Sequence, residues 1–163
     1  MLENTEMEDS DQGLEIALKW INAIANGDFG QEIETSTAKG IRVVQAHKGF
    51  LLCDFTIHSG LSDENGNWHV GAIATLVDII GSCVSLSITS SLQQVTLDFS
   101  ISYYTTARLQ EEVKVEAKVI GKKEELTSVI VEVRKKENGE LVALGKLWLA
   151  VPRKHPRHQE SKL

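Results

Sequence analysis

Apolar residues recur along this chain with two different periods. From Leu14 they fall at helical spacing, at Leu14, Leu18, Ile21 and Ile24 or Ala25, with Gly27 as the stop. This predicts one short amphipathic helix, followed by a connector, DFGQEIETSTAKG. The next stretch, IRVVQAHKGFLLCDFTIHSG, alternates instead and predicts two strands around a turn at Lys48-Gly49. In the second strand Leu51, Cys53, Phe55 and Ile57 oppose Leu52, Asp54 and Thr56.

The polar loop LSDENGNW, turning at Asn65-Gly66, leads into HVGAIATLVDIIGSCVSLSITS. This is the one long run that reads as a buried helix, and between Val70 and Leu92 its only charge is Asp78. Ile73, Leu76, Val77, Ile80, Val84 and Ile88 supply broad apolar cover. Thr75, Asp78, Ser82, Ser85 and Thr89 fall three or four apart and predict one narrow polar stripe. Gly81 weakens a helix, so close packing is expected there. A charge at bilayer depth is costly, and the strands that follow need a partner for their apolar faces. The expectation is a helix buried inside a folded domain, with no membrane insertion.

Four strands are predicted after the helix. In QQVTLDFSISYY, Val95, Leu97, Phe99, Ile101 and Tyr103 are expected on one face, with Thr96, Asp98, Ser100 and Ser102 on the other. Val113, Val115, Ala117 and Val119 alternate against charge until Gly121, where a turn is expected. Thr127, Val129, Val131 and Val133 point inward before the hairpin turn at Asn138-Gly139. The last strand, ELVALGKLWLAV, is apolar on both faces around Trp148, which suggests a subunit contact or the sheet centre. Short connections make the sheet mostly antiparallel, so the expected fold class is α+β, with a curved sheet wrapped around the long helix.

Composition narrows this little. A chain of 163 residues with 42% apolar and 25% charged residues fits one domain with a real core. The formal charge of -6 argues against a broad nucleic-acid surface. Cys53 and Cys83 form no CxxC pair and read as buried free thiols. Residues 1–12 are acidic, without periodicity or an apolar segment, and are expected as a mobile tail with no secretory signal. The domain is expected over residues 13–151. Residues 152–163 hold both prolines, are basic, and end in Ser161-Lys162-Leu163. That tripeptide matches the peroxisomal address at a free C-terminus, so a peroxisomal location and an import receptor as partner are expected, with the cytoplasm as the alternative.

Chemistry is sparse outside the helix. No dinucleotide fingerprint, P-loop, HExxH or nucleophile elbow is present. His47 and His58 are isolated, so no metal site and no cofactor are expected. Trp20 is expected to pack or to cap a groove. What remains is Asp78 as general base or nucleophile, with backbone N–H groups of Val70 and Gly71 at the helix start to hold an oxyanion. Hydrolysis of an activated acyl bond is the simplest reaction such a set supports.

HVGAIATLVD followed by VTLDFSISYYTTA resembles the hotdog-fold acyl-CoA thioesterases, in particular the small single-domain group of thioesterase superfamily member 2. The resemblance covers roughly residues 40–151. It implies a hotdog fold, a homodimer paired into a tetramer, and an active site between subunits that cleaves acyl-CoA to free acid and CoA. By position, Asp78 resembles the family's catalytic carboxylate, and Thr96, from the partner subunit, lies where a serine positions water. His69 resembles the histidine that opens the helix. Asp63 falls where an asparagine commonly holds substrate or water, although Asn65 or Asn67 could take that place after a local shift.

Two departures stand out. Val70 occupies the first glycine of the common HGG pattern, while Gly71 keeps the second. Asp63 would bring a second negative charge toward Asp78. For the CoA phosphates, Arg108, Lys122, Lys123, Lys146 and Arg153 are the candidate cations. The expected substrate is a medium- or long-chain fatty acyl-CoA. An aromatic, naphthoyl-type acyl-CoA is the runner-up, and a non-catalytic acyl-CoA-binding protein is the alternative from another class.

Overall fold

The computed structural model describes the backbone of residues 3–153 and the side chains from residue 12 onward. The tail that carries Ser161-Lys162-Leu163 lies outside the described residues. The elements are α1 (Glu3–Asn26), α2 (Glu32–Ala38), β1 (Arg42–His47), β2 (Phe50–Thr56), a 3-10 turn (Ser59–Leu61), α3 (Val70–Thr89), β3 (Val95–Tyr103), β4 (Glu112–Lys123), β5 (Leu126–Lys135) and β6 (Leu141–Ala150). One antiparallel sheet in the order β1-β2-β4-β5-β6-β3 lies over α3. This is the hotdog arrangement, an α+β fold with a curved sheet around a long central helix.

The core sits between sheet and helix. Leu76, Val77, Ile80 and Val84 of α3 meet Val113, Val115, Val129, Val131, Leu147 and Leu149 of the sheet, all of them buried. Two glycines set the approach. A Cβ at Gly145 on β6 would collide with Val77, and one at Gly81 on α3 would meet Leu147 Cδ1 at 3.0 Å. Close packing compensates the helical cost of Gly81, as its position in the sequence suggested. α3 is long and apolar enough to cross a membrane by length and composition, yet most of its surface is covered by the fold. Cys53 and Cys83 are buried free thiols, and burial pushes Cys53 up to about 12.

Several local expectations change. α1 starts at Glu3 rather than near Leu14, so the acidic stretch expected as a tail enters the helix. Acids near a helix N-terminus suit its dipole, which the apolar period does not register. The connector after Gly27 contains α2, where the Gln31 N–H donates to Glu34 Oε2 at 2.7 Å. This is half of a capping box, and it stabilises a helix too short to show a period. β4 runs through Gly121 to Lys123, with a register shift between Val119 and Gly121 in place of the expected turn. The chain reverses instead at Glu124, whose φ is 52°.

The most consequential change is in β3. Its register against β6 shifts between Thr96 and Asp98, so Leu97 is an extra residue in the strand. An extra residue reverses the alternation on either side of it. Phe99 and Ile101 pack against the core as expected, but Val95 and Leu97 are exposed and Thr96 turns toward α3. β3 is also an edge strand, carrying exposed Val95, Leu97 and Tyr103.

Candidate active site

α3 begins at a well-made cap. His69 is the N-cap, with its backbone in the extended region and its Nδ1 accepting from the Gly71 N–H at 3.0 Å. The preceding loop holds this start in place. Asp63 Oδ1 accepts from the Asn65 and Asn67 N–H groups, each at 2.9 Å, around a turn in which Gly66 has φ 76°. Trp68 N–H donates to the Ala107 carbonyl at 2.8 Å, and His69 N–H to that of Leu61 at 2.8 Å.

Two expectations about this loop are revised. Asp63 was expected to face substrate or water, but its Oδ1 is occupied by its own loop, and the Asn67 backbone hydrogen bond holds its carboxyl below the usual range. It organises the turn. Gly71 was expected to offer its N–H to an oxyanion, yet the His69 ring already accepts from it. Among the described residues none accepts from the Val70 N–H, which leaves Val70 as the open donor at the helix start. The Val70 side chain is exposed, and its carbonyl accepts from the Tyr103 hydroxyl at 3.0 Å.

Two turns further along, Asp78 is half-buried, and Thr96 Oγ1 donates to its Oδ1 at 3.2 Å. The contact lies within one chain, whereas the resemblance placed Thr96 on the partner subunit. It exists because the bulge at Leu97 turns Thr96 inward. Asp78 has no cation against it among the described residues. Burial raises its carboxyl above the ordinary value; the Thr96 hydrogen bond opposes this and the nearby Glu34 carboxylate adds to it. The second negative charge near Asp78 is therefore Glu34 of α2, not Asp63.

Three clefts line the exposed side of α3. One at the helix start, about 380 Å³, is bounded by Ile33, Ser62, His69, Gly71 and Thr75. An open one, about 540 Å³, has Ile33, Glu34, Ala74, Thr75, Asp78, Thr96 and Phe99 around it. A more enclosed one, about 210 Å³, is walled by Trp20, Ile79, Leu86, Leu92 and Gln94. Shared residues join them into one groove, and Asp78, Glu34 and Thr96 border both the second and the third.

The polar stripe is shorter than expected. Thr75, Asp78 and Ser82 border the groove, but Ser85 is fully buried with its hydroxyl unpaired. α3 rotates its surface by 100° per residue, and the wall made by α1 covers the later turns. Glu34 and Gln94 were not anticipated. The pattern Gln31-x-x-Glu34 was the available signal for the first; nothing local marks the second.

The candidate cations are divided. Arg108 bridges to Asn67, beside the helix start. Lys122 and Lys123 close the far end of β4, and Arg153 pairs with Glu124 at 3.2 Å. The twelve residues of β4 lie between Arg108 and this second group. Lys146 is exposed on β6, across from Ser100 and Ile130. Among the described residues no three His, Cys, Asp or Glu side chains are set to hold a metal ion.

Comparison with known proteins agrees with this geometry. Residues 65–142 match the model of the family described as "Thioesterase superfamily". Acyl-coenzyme A thioesterase 13 of Homo sapiens is 29% identical over 106 residues, covering 65% of this chain and 76% of that protein. The crystal structure of zebra fish thioesterase superfamily member 2 superposes with a TM-score of 0.75 at 24% identity, over 82% of this chain and 94% of that one. A Streptococcus mutans protein bound to acetyl CoA gives 0.65 at 24% identity, over 72% and 93%. The structural likenesses establish the fold.

Proposed function

From the premise that the chain is a hotdog-fold thioesterase related to acyl-coenzyme A thioesterase 13, we propose that it hydrolyses fatty acyl-CoA of medium or long chain to the free acid and CoA. The observation that carries this reading is Asp78, a half-buried carboxylate with no cation among the described residues, one hydroxyl partner and a raised pKa, open to a groove. A carboxylate raised toward neutrality is a better general base at working pH. Asp78 takes a proton from water, and the water oxygen adds to the thioester carbonyl. The tetrahedral intermediate then collapses, the C–S bond breaks, and the CoA thiolate leaves and recovers the proton. Thr96 holds the carboxylate in place throughout.

Helix geometry supports a site shared by two copies. Val70 and Asp78 are eight residues apart, so they are separated by about 12 Å along one α3 axis. One carbonyl cannot sit at both. The base pair Asp78 and Thr96 from one chain, facing the Val70 N–H and the helix start of another, satisfies both requirements. The edge of β3, with Val95, Leu97 and Tyr103 exposed, suits pairing with a second copy. A homodimer is the proposed unit, with a tetramer as its pairing. Arg108 beside the helix start is the proposed cation for the CoA phosphates.

Thiol release measured across saturated and aromatic acyl-CoAs tests the reaction. Activity on fatty acyl-CoA that disappears in D78N, with the fold and acyl-CoA binding retained, is the expected result. Unchanged turnover in D78N would sink the mechanism. A preference for naphthoyl-type esters would select the aromatic substrate, and saturable binding with no thiol release would make the protein a binder. Sedimentation of the wild type and L97K tests the proposed edge, with the dimer expected to weaken in the variant. We also propose peroxisomal import through Ser161-Lys162-Leu163 and its receptor. A fluorescent N-terminal fusion should enter peroxisomes and stay in the cytoplasm when the three residues are removed.

A further inference from the structure

α1 lies outside the matched family region, yet it builds one wall of the groove. Besides Asp78 and Thr96 the enclosed cleft is lined by the apolar side chains of Trp20 of α1, Ile79 and Leu86 of α3, and Leu92. Glu34, Ser82 and Gln94 also line it, and Gln94 Nε2 donates to the Ser82 carbonyl at 2.6 Å.

α1 is held firmly against α3. A Cβ at Gly13 would lie 2.5 Å from the Ser87 carbonyl oxygen, so the helices touch backbone to backbone there. Cys83 Sγ donates to the Ala17 carbonyl at 3.4 Å, and Ile21 and Ile24 are fully buried. A helix anchored on both sides of Trp20 cannot yield space by shifting. The indole is partly buried and packed against the core.

We propose that this cleft receives the aliphatic tail of the acyl group, and that Trp20 closes its far end and limits the chain length accepted. The proposal takes its occupant from the hydrolase reading above. The cleft includes the reacting groups, sets Trp20, Ile79, Leu86 and Leu92 among its polar side chains, and is more enclosed than its neighbour. The neighbouring cleft on the other side of Asp78 is wider and more open to the surface, which leaves room for the bulkier CoA arm. Size adds to the argument. A cavity of about 150 Å³ holds a benzene ring. One of about 210 Å³ is of the size of a medium-length tail.

The test uses the full chain and a series of saturated acyl-CoAs from butanoyl to octadecanoyl. Thiol release is measured in the wild type, W20A, W20L and W20F, and dissociation constants in the same substitutions on a D78N background. Opening the end wall should raise the ratio of kcat/KM for hexadecanoyl-CoA over octanoyl-CoA by at least about tenfold in W20A. W20L should give a smaller rise, and W20F should stay near the wild type. The dissociation constants should follow the same order. Unchanged ratios in W20A and W20L, with thermal midpoints showing that both fold, would overturn the proposal. Preference for benzoyl-CoA over every saturated chain would overturn the occupant. A wild type that hydrolyses nothing removes the hydrolase reading alone, since the D78N binding series still reports whether Trp20 sets the length.

Discussion

Two aspartates, Asp54 and Asp78, are drawn into the fold on opposite sides of the sheet, and their surroundings differ in one respect. Asp54 on β2 is 8% exposed, and Lys136 Nζ donates to its Oδ2 at 2.8 Å, with Arg42 at 3.7 Å. The charge is matched by cations, and the pair ties β2 to the end of β5. Asp78 has a hydroxyl, a second carboxylate nearby and no cation among the described residues, and burial raises its proton affinity. A buried carboxylate with a cation is a structural contact; one without a cation retains a use for its proton.

The largest expected effect is at Asp78. D78N should lower thioester hydrolysis by roughly 10²- to 10⁴-fold at neutral pH, read by thiol release. The same variant should be more stable than the wild type at pH 7. Asp78 ionises with more difficulty in the fold than in the unfolded chain, so the folded state holds more protons between the two pKa values. Stability therefore falls as pH rises from the ordinary aspartate value of 3.8 through the raised one. Thermal midpoints of D78N and wild type should converge below the ordinary value and separate above the raised one. A D78N midpoint below the wild type at pH 7 would mean that the carboxylate stabilises the fold after all.

K136M tests the other aspartate. It leaves Asp54 with only the more distant Arg42, and the thermal midpoint should fall by several degrees while the pH–rate profile of hydrolysis keeps its shape. A changed profile would erase the distinction between the two sites.

Smaller effects should sharpen it. T96A removes a hydrogen bond that lowers the Asp78 pKa, so the acid limb of the profile should move to higher pH. The plateau should fall roughly 3- to 10-fold, the value of one hydrogen bond. E34Q removes a negative charge that raises it, and the limb should move to lower pH with the plateau within about threefold. Shifts of the same sign in both variants would contradict the arrangement.

Local pattern reached far into this molecule. The i, i+4 apolar positions marked α1 from Leu14 onward and all of α3. Period-two runs marked all six strands, and Gly49, Gly66 and Gly139 occupy the positive-φ turn positions their neighbours suggested. α2 escaped because seven residues make less than two full turns of apolar period. Of the candidate site, Asp78 was visible as the one charge in an apolar helix, and Thr96 only through resemblance.

Those residues' relations to one another were not visible. A bulge of one residue at Leu97 reverses the faces of β3 and brings Thr96 to Asp78, eighteen positions away. The chain around Val95–Tyr103 alternates cleanly and carries no sign of the extra residue, because the register is set against β6, some fifty residues later. The choice of Glu34 over Asp63 as the neighbouring carboxylate depends on how α2 packs on α3, and Asp63 was removed by hydrogen bonds within its own loop. Sequence by itself determined the elements and the one misplaced charge, because periodicity and burial cost are local properties of a chain. Tertiary structure decided what that charge faces, because facing is fixed by contacts between segments that share no local pattern.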